Sequence, residues 1–300
     1  MSSKNLSHLR LIIFFTAIIF LLSLIVPDTK LEIFDINILQ FILFYVWLVQ
    51  IVGFIFAFIY QTERYYDFIG SLTYSSSALI VYFSLPTKTQ TDNVLLIVVL
   101  IWSLRLGLFL FRRILEDGHD TRFDKPKQSF FHFLQYWTGQ AMWVSFTCIA
   151  VYVAMISNEP NTLSPISLIG VFIWIIGFII EVIADSQKRN FRKDLNNKGR
   201  YISSGLWSRS RHPNYFGEIT LWTGVSLIAL TSLNGIGYVA LISPFFVYAL
   251  LSKGSGIPLL ERSADKRWGD ELDYEEYKKN TPVLFPKLFN NIKQPDSNSN

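Results

Sequence analysis

Runs of 18 to 25 mostly apolar residues recur along this 300-residue chain, and nothing in it constrains the fold more. An α-helix rises about 1.5 Å per residue, so each such run can cross a hydrocarbon core of about 30 Å. Charged residues make up only 17% of the chain, against roughly a quarter in soluble domains. Eight candidate spans can be read: 9–26, 36–60, 68–85, 93–111, 139–157, 165–184, 215–232 and 235–252. The third is the weakest, because Ser75, Ser76 and Ser77 dilute it. The expected fold class is all-α, a polytopic transmembrane helical bundle of about eight spans (seven to nine). The first run lasts to Val26 and ends at Pro27-Asp28 without a small-residue cleavage pattern, which argues against a cleaved signal peptide. Residues 1–60 read as an amino-terminal transmembrane hairpin, 61–289 as the main transmembrane domain, and 290–300 (NNIKQPDSNSN) as a disordered tail.

Loop charges give an independent count. If the amino terminus is cytoplasmic, the inner segments carry 24 of the 27 Lys and Arg residues, the outer loops carry only Lys30 and Lys88, and Arg105 lies within a span. Cytoplasmic loops are enriched in Lys and Arg, so both termini are expected on the cytoplasmic side. A single cysteine, Cys148, excludes a disulfide framework and paired-cysteine zinc sites, and four scattered histidines do not make a di-iron cluster. No metal is therefore expected. The net charge of +4 is small and the aromatics belong to the spans, so nucleic acid is not an expected partner. Tyr65-Tyr66 and Trp137 read as interfacial belt residues, while Gln40 and Gln50, ten apart and off one helical face, carry no assigned role.

Ionisable residues inside spans face a cavity or a partner, because burial in lipid costs about 2.5–3.5 kcal/mol each on insertion scales. Asp67, Arg105, Glu181 and Glu218 all fall near the inner ends of their spans. A polar cavity opening to the cytoplasm is expected from them. Between Glu181 and Glu218 the chain is densest in chemistry. Glu181, Asp185, Lys188/Arg189 and Arg192 recur at helical spacing and form one polar stripe, which Gly199 and Gly205 are expected to interrupt. Then comes GLWSRSRHPNYFGE, residues 205–218. Pro213 does not belong in a helix interior and Asn214 is a favoured N-cap, so the seventh span is expected to start there. Arg209, Arg211 and His212 add positive charge beside that helix amino terminus, a ready site for phosphate.

GLWSRSRHPNYFGE, preceded by EVIADSQKRNFRKD and followed by GIPLLERSADKRWG and YKKNTPVLFP, resembles the steroid 5-alpha-reductase-like membrane proteins. In particular it is similar to the branch carrying domain of unknown function 1295, to which WSLRLGLFLFRR and GHDTRFD also fit. The likeness covers roughly residues 60 to 288. RHPNY alone is less specific, since isoprenylcysteine-type methyltransferases share an Arg-His-Pro-x-Tyr segment. The resemblance implies NADPH held on the cytoplasmic side by the carboxy-terminal half. Asp185, Arg189, Arg192, Arg209, Arg211, His212, Asn214 and Tyr215 would meet the nucleotide, with Tyr277 closing the site. Glu218 would meet the nicotinamide carboxamide or its neighbourhood. Residues 185–214 offer eight basic side chains against two acidic ones, matching the phosphates of NADPH better than S-adenosylmethionine, which has none.

One departure concerns catalysis. The steroid reductases place a proton-donating tyrosine where this chain has Trp102, whose indole N–H donates a hydrogen bond but supplies no proton. Either the acid comes from elsewhere, with Asp67, Tyr74 and Glu63 as the candidates, or the substrate is not an enone. Residues 116–123 form an inner loop of mixed charge, and 258–279 read as an interfacial amphipathic helix or helical pair, which the resemblance makes a lid. The expected function is reduction of a carbon–carbon double bond in a steroid, sterol-like or other lipid-soluble substrate, within a lipid bilayer. That bilayer is the endoplasmic reticulum membrane in a eukaryote or the inner membrane in a bacterium. The alternatives are an S-adenosylmethionine-dependent membrane methyltransferase and a non-catalytic sterol- or lipid-binding protein.

Overall fold

A computed structural model describes residues 3–24, 31–157 and 162–287. The Pro27-Asp28 end of the first run and the tail from Asn290 lie outside the described residues. Among the described residues the chain is all-α but for a hairpin of two two-residue strands, β1 (Glu32–Ile33) and β2 (Ile36–Asn37). Helix α1 spans Ser3–Leu22, α2 Ile38–Ile59, α3 Tyr66–Ser84, α4 Gln90–Asp117 and α5 Phe130–Ile156. Then follow α6 (Pro165–Lys193), α7 (Pro213–Ala229), α8 (Ser243–Lys253), α9 (Ile257–Trp268) and α10 (Leu272–Asn280).

Local chemistry sets the helix ends. Asn37 caps α2, its side chain accepting the Leu39 N–H at 2.9 Å. Thr89 and Asp92 form a reciprocal capping box on α4, which stops at Gly118 with φ of +80°. Pro165 and Pro213 open α6 and α7 at the first helical position, where the missing N–H costs nothing. The carbonyl of His212 accepts the Phe216 N–H at 3.1 Å, so His212 occupies the cap position and Asn214 lies inside the first turn, not before it. Proline's fixed φ decides this over asparagine's capping preference.

Over its described residues, every segment read as a span is mostly helical. Among the described residues, six stretches are long and apolar enough to cross a membrane: α1, α2, α4, α5, α6 and the run Gly235–Trp268. The protein is therefore a polytopic membrane protein. The two other segments differ for physical reasons. Helix α7 is only 17 residues long. Helix α3 is diluted by hydroxyls that point inward: Thr73, Ser75 and Ser77 are buried and bonded to Gln50 (2.8 Å), Ser103 (2.8 Å) and Tyr152 (2.7 Å). Gln50 is thus a buried structural donor across α2 and α3. The last run starts as a 3₁₀ segment, Gly235–Ile242, before α8.

The chain divides into two compact units, residues 1–172 with 223–246, and 173–222 with 247–300. In the first, α5 contacts each of α1 to α4, and 83% of its apolar window is buried. Its amino-terminal end reaches back to Phe130, nine residues before the span read from sequence, because Phe133 and Trp137 join Phe54, Ala57 and Phe123 in an aromatic core. Trp137 is fully buried there, not an interfacial belt residue, and Gly53 gives its ring room against α2. In the second unit α6 and α7 meet through Gly177 and Gly217: a Cβ on Gly217 would lie 2.7 Å from the Glu181 amide nitrogen and the Gly177 carbonyl oxygen. Small residues let membrane helices approach at backbone distance.

Candidate functional site

All of the nucleotide-binding residues expected from sequence fall in the second unit. Along α6 their burial falls towards the carboxy-terminal end: Glu181 is 3% and Asp185 7% exposed, Arg189 is half-buried and Arg192 exposed. The helix stops at Lys193, six residues before Gly199, where Asp194 accepts the Asn196 N–H at 2.9 Å. Neither glycine ends it. Gly199 and Gly205, with φ of +82° and +62°, instead shape the loop that follows.

That loop is pinned to α6 at two points. The Trp207 indole N–H donates to the Ala184 carbonyl at 3.0 Å, and the Leu206 N–H donates to Gln187 Oε1 at 2.9 Å. Lys188 Nζ lies 4.5 Å from the Trp207 ring centroid. The other side of the loop is held by the final segment. Arg211 N–H donates to Pro282 O at 2.9 Å, Ser210 Oγ to Leu284 O at 2.8 Å, and Lys287 N–H to Arg209 O at 3.0 Å. The basic loop is therefore a fixed scaffold.

At the start of α7 this scaffold presents Arg211 and His212, and both reach one acid that sequence reasoning missed. Glu261 on α9 accepts from Arg211 Nη1 at 2.9 Å and lies 2.7 Å from His212 Nε2. His212 is 5% exposed and its ring stacks on Tyr215, with centroids 5.7 Å apart. Burial drives the His212 pKa below its ordinary value, as do the Lys188 and Arg211 charges, with Glu261 opposing. Arg211 Nε and His212 Nδ1 are buried with no hydrogen-bond partner. Glu261 stands 49 residues from His212 in sequence, so no local spacing could have paired them.

Tyr277 donates its hydroxyl to the Trp207 carbonyl at 2.7 Å, and burial pushes its phenol pKa well up, so it stays protonated. It reaches a ligand only through its oxygen lone pairs or its ring. An open hollow of about 360 Å³ beside it is lined by Tyr201, Ser203, Ser208 and two carboxylates, Asp273 and Glu276. That lining suits no phosphate, which leaves anions to the arginine side of the loop. Arg209 is exposed, while Asn214, Tyr215 and Glu218 are half-buried in the first turns of α7.

Asp67 and Tyr74 belong to the first unit, as does Arg105; Glu181 and Glu218 belong to the second. Asp67 accepts from Arg122 at 3.1 Å and Arg113 at 3.4 Å, and Asp120 holds the same two guanidiniums. Glu63, 5% exposed, takes Lys127 Nζ at 2.9 Å and the Asp120 N–H at 3.1 Å. Burial raises its pKa, but these donors outweigh burial and hold it below the ordinary value. The mixed-charge loop is therefore a bonded cluster, and its donors keep Glu63 ionised. Tyr74 packs edge-on against the buried Trp102, ring centroids 5.0 Å apart. Among the described residues no group of three His, Cys, Asp or Glu is placed to hold a metal ion.

The sequence matches known proteins in the same direction. 3-Oxo-5-alpha-steroid 4-dehydrogenase 1 of Macaca fascicularis is 32% identical over 125 residues, 42% of each chain. The Homo sapiens protein of that name is 30% identical over 125 residues, 42% of this chain and 43% of its own. A probable O-methyltransferase, ustE of Ustilaginoidea virens, is 32% identical over 123 residues, 41% of each chain. The chain thus spans about two-fifths of the length of the curated relatives it matches. No solved structure matches it. The family model described as protein of unknown function DUF1295 matches residues 53–281, from the middle of α2 to the end of α10. With most of its length inside that match, the chain belongs to the DUF1295 branch of the steroid 5-alpha-reductase-like membrane proteins.

Proposed function

We propose that this protein is an NADPH-dependent reductase of a carbon–carbon double bond in a steroid, sterol-like or other lipid-soluble substrate. One observation carries the reading: Arg211 Nε, a charged donor, is buried without an acceptor inside a rigid basic loop at a helix amino terminus. Such a donor calls for an acceptor, and a phosphate oxygen of NADPH, as a charge-assisted one, suits it. Arg189, Arg192 and Arg209 surround the nucleotide phosphates in this reading, Asn214 and Tyr215 contribute from the first turn of α7, and Asp185 accepts from ribose hydroxyls. Glu218 accepts a hydrogen bond from the carboxamide and so fixes the face of the ring.

Bound NADPH supplies a hydride to the β carbon of a polarised double bond, and a proton at the α carbon completes the reduction. Of the three candidate acids, Tyr74 is the one we assign. Tyr74 packs against Trp102, which by the family resemblance stands where the steroid reductases carry their tyrosine. Replacing Tyr74 with Phe is expected to lower turnover 10²-fold or more, the ordinary range for losing a general acid, with NADPH affinity unchanged.

The relative from Ustilaginoidea virens supports a second reading, transfer of a methyl group from S-adenosylmethionine. Titration of the detergent-purified protein with both nucleotides separates the two. NADPH is expected to bind at least tenfold more tightly, and deuterium from 4-deuterated NADPH is expected in a reduced lipid extracted from host membranes. Tighter binding of S-adenosylmethionine would favour the methyltransferase instead; bound NADPH without deuterium transfer to any lipid would make the protein a non-catalytic binder.

A further inference from the structure

The geometry points to Glu261 as a positioning residue that holds His212 in its uncharged, Nε2-protonated form, so that Nδ1 offers a lone pair to a hydroxyl or amine donor on the nucleoside part of the bound nucleotide. The identity of that ligand rests on the function proposed above; the part played by Glu261 does not.

Glu261 is bound on one oxygen by the Arg211 guanidinium at 2.9 Å, which keeps it a carboxylate. An ionised carboxylate only accepts hydrogen bonds, so the 2.7 Å contact on its other oxygen requires a proton on His212 Nε2. The charged groups facing the ring are Glu261 from α9, Lys188 from α6 and neighbouring Arg211. With the ring 5% exposed and two cations close by, a second proton is disfavoured. Nδ1 is then a bare lone pair, buried and without a partner. A phosphate oxygen, itself an acceptor, cannot satisfy it. A ribose hydroxyl or an adenine amine can. The expectation that His212 adds positive charge at the phosphate site is replaced by a division of labour: Arg211 Nε donates to an anion, His212 Nδ1 accepts from a neutral donor, and one carboxylate on α9 orients both.

The test reads ring nitrogens directly. Protein labelled with ¹⁵N-histidine is purified in detergent at pH 7.5, and the His212→Gln spectrum identifies the His212 signals among those of four histidines. A neutral Nε2-protonated ring is expected in the wild type and in Glu261→Gln, whose amide oxygen still accepts. In Glu261→Ala the tautomer is expected to shift or mix. An imidazolium or an Nδ1-protonated ring at His212 in the wild type overturns the positioning role, whatever the variants do. Nucleotide affinity is measured in parallel with NADPH and with S-adenosylmethionine, since both carry ribose hydroxyls and an adenine amine. His212→Gln keeps a donor for Glu261 but loses the Nδ1 acceptor, and the nucleotide that the wild type binds should bind it at least tenfold more weakly. The expected tautomer with unchanged affinity in His212→Gln overturns the ligand assignment. If the wild type binds neither nucleotide, the proposed function and the ligand assignment fail together, while the nitrogen spectrum still decides the role of Glu261.

Discussion

At Gly217 a single added carbon meets backbone on two sides, the Glu181 nitrogen and the Gly177 oxygen, both 2.7 Å away. Backbone cannot swing aside as a side chain can, so Gly217→Ala is expected to destabilise by about 1–3 kcal/mol, the usual cost of overpacking. Gly139 is the control. Its Cβ would meet only the Phe15 ring at 3.4 Å, and Gly139→Ala should be neutral or slightly stabilising through helix propensity. Thermal unfolding of the two variants in detergent compares them. Residue-level chemistry is legible in the sequence where it is local. Pro213 announces the start of α7, and the Arg-His-Pro-Asn-Tyr run announces a special amino terminus. Glu261 is illegible there because it meets His212 only through the fold. Trp137 is misleading because an indole at a span end looks alike whether it faces headgroups or a phenylalanine cluster.

At the scale of elements, the cluster joining the start of α3, the end of α4 and the 118–128 loop should set acid stability. Burial raises the Asp120 pKa, but hydrogen bonds and charge from Arg122, with Arg113, more than reverse this; Glu63 is likewise held below its ordinary 4.5 by its donors. Carboxylates depressed in the folded state stabilise it above their unfolded pKa, and that stability is lost as pH falls through the folded values. The melting temperature is therefore expected to fall below pH 4.5, and to fall less steeply in Glu63→Gln. Lys127→Ala strands a carboxylate whose side chain is 3% exposed. It should cost about 3 kcal/mol, the low end for breaking a buried pair, because the Asp120 amide still donates to Glu63. Long apolar helices are plain in the sequence. Helix α3 is the least plain, since its hydroxyls and Gln50 satisfy one another across helices, and composition counts them as polarity.

For the whole molecule, the 24-to-2 division of basic residues predicts on which side each loop lies. The native Cys148 is fully buried, so an introduced cysteine is the only accessible thiol among the described residues. A membrane-impermeant maleimide should label Lys125→Cys from the cytoplasmic side and Lys88→Cys from the opposite side; labelling of both from one side would refute the eight-span reading. The 29 residues of α6 make a rod of about 43 Å, longer than the hydrocarbon core it crosses, so its polar end extends as helix beyond the apolar layer. The side chains from Asp185 to Arg192 thus stand at fixed intervals before any ligand arrives, with Trp207 and Gln187 bracing the loop beside them. Little chain has to be ordered when a nucleotide docks, so its association should resemble a key entering a cut lock, with a heat-capacity change far smaller than that of coupled folding and binding.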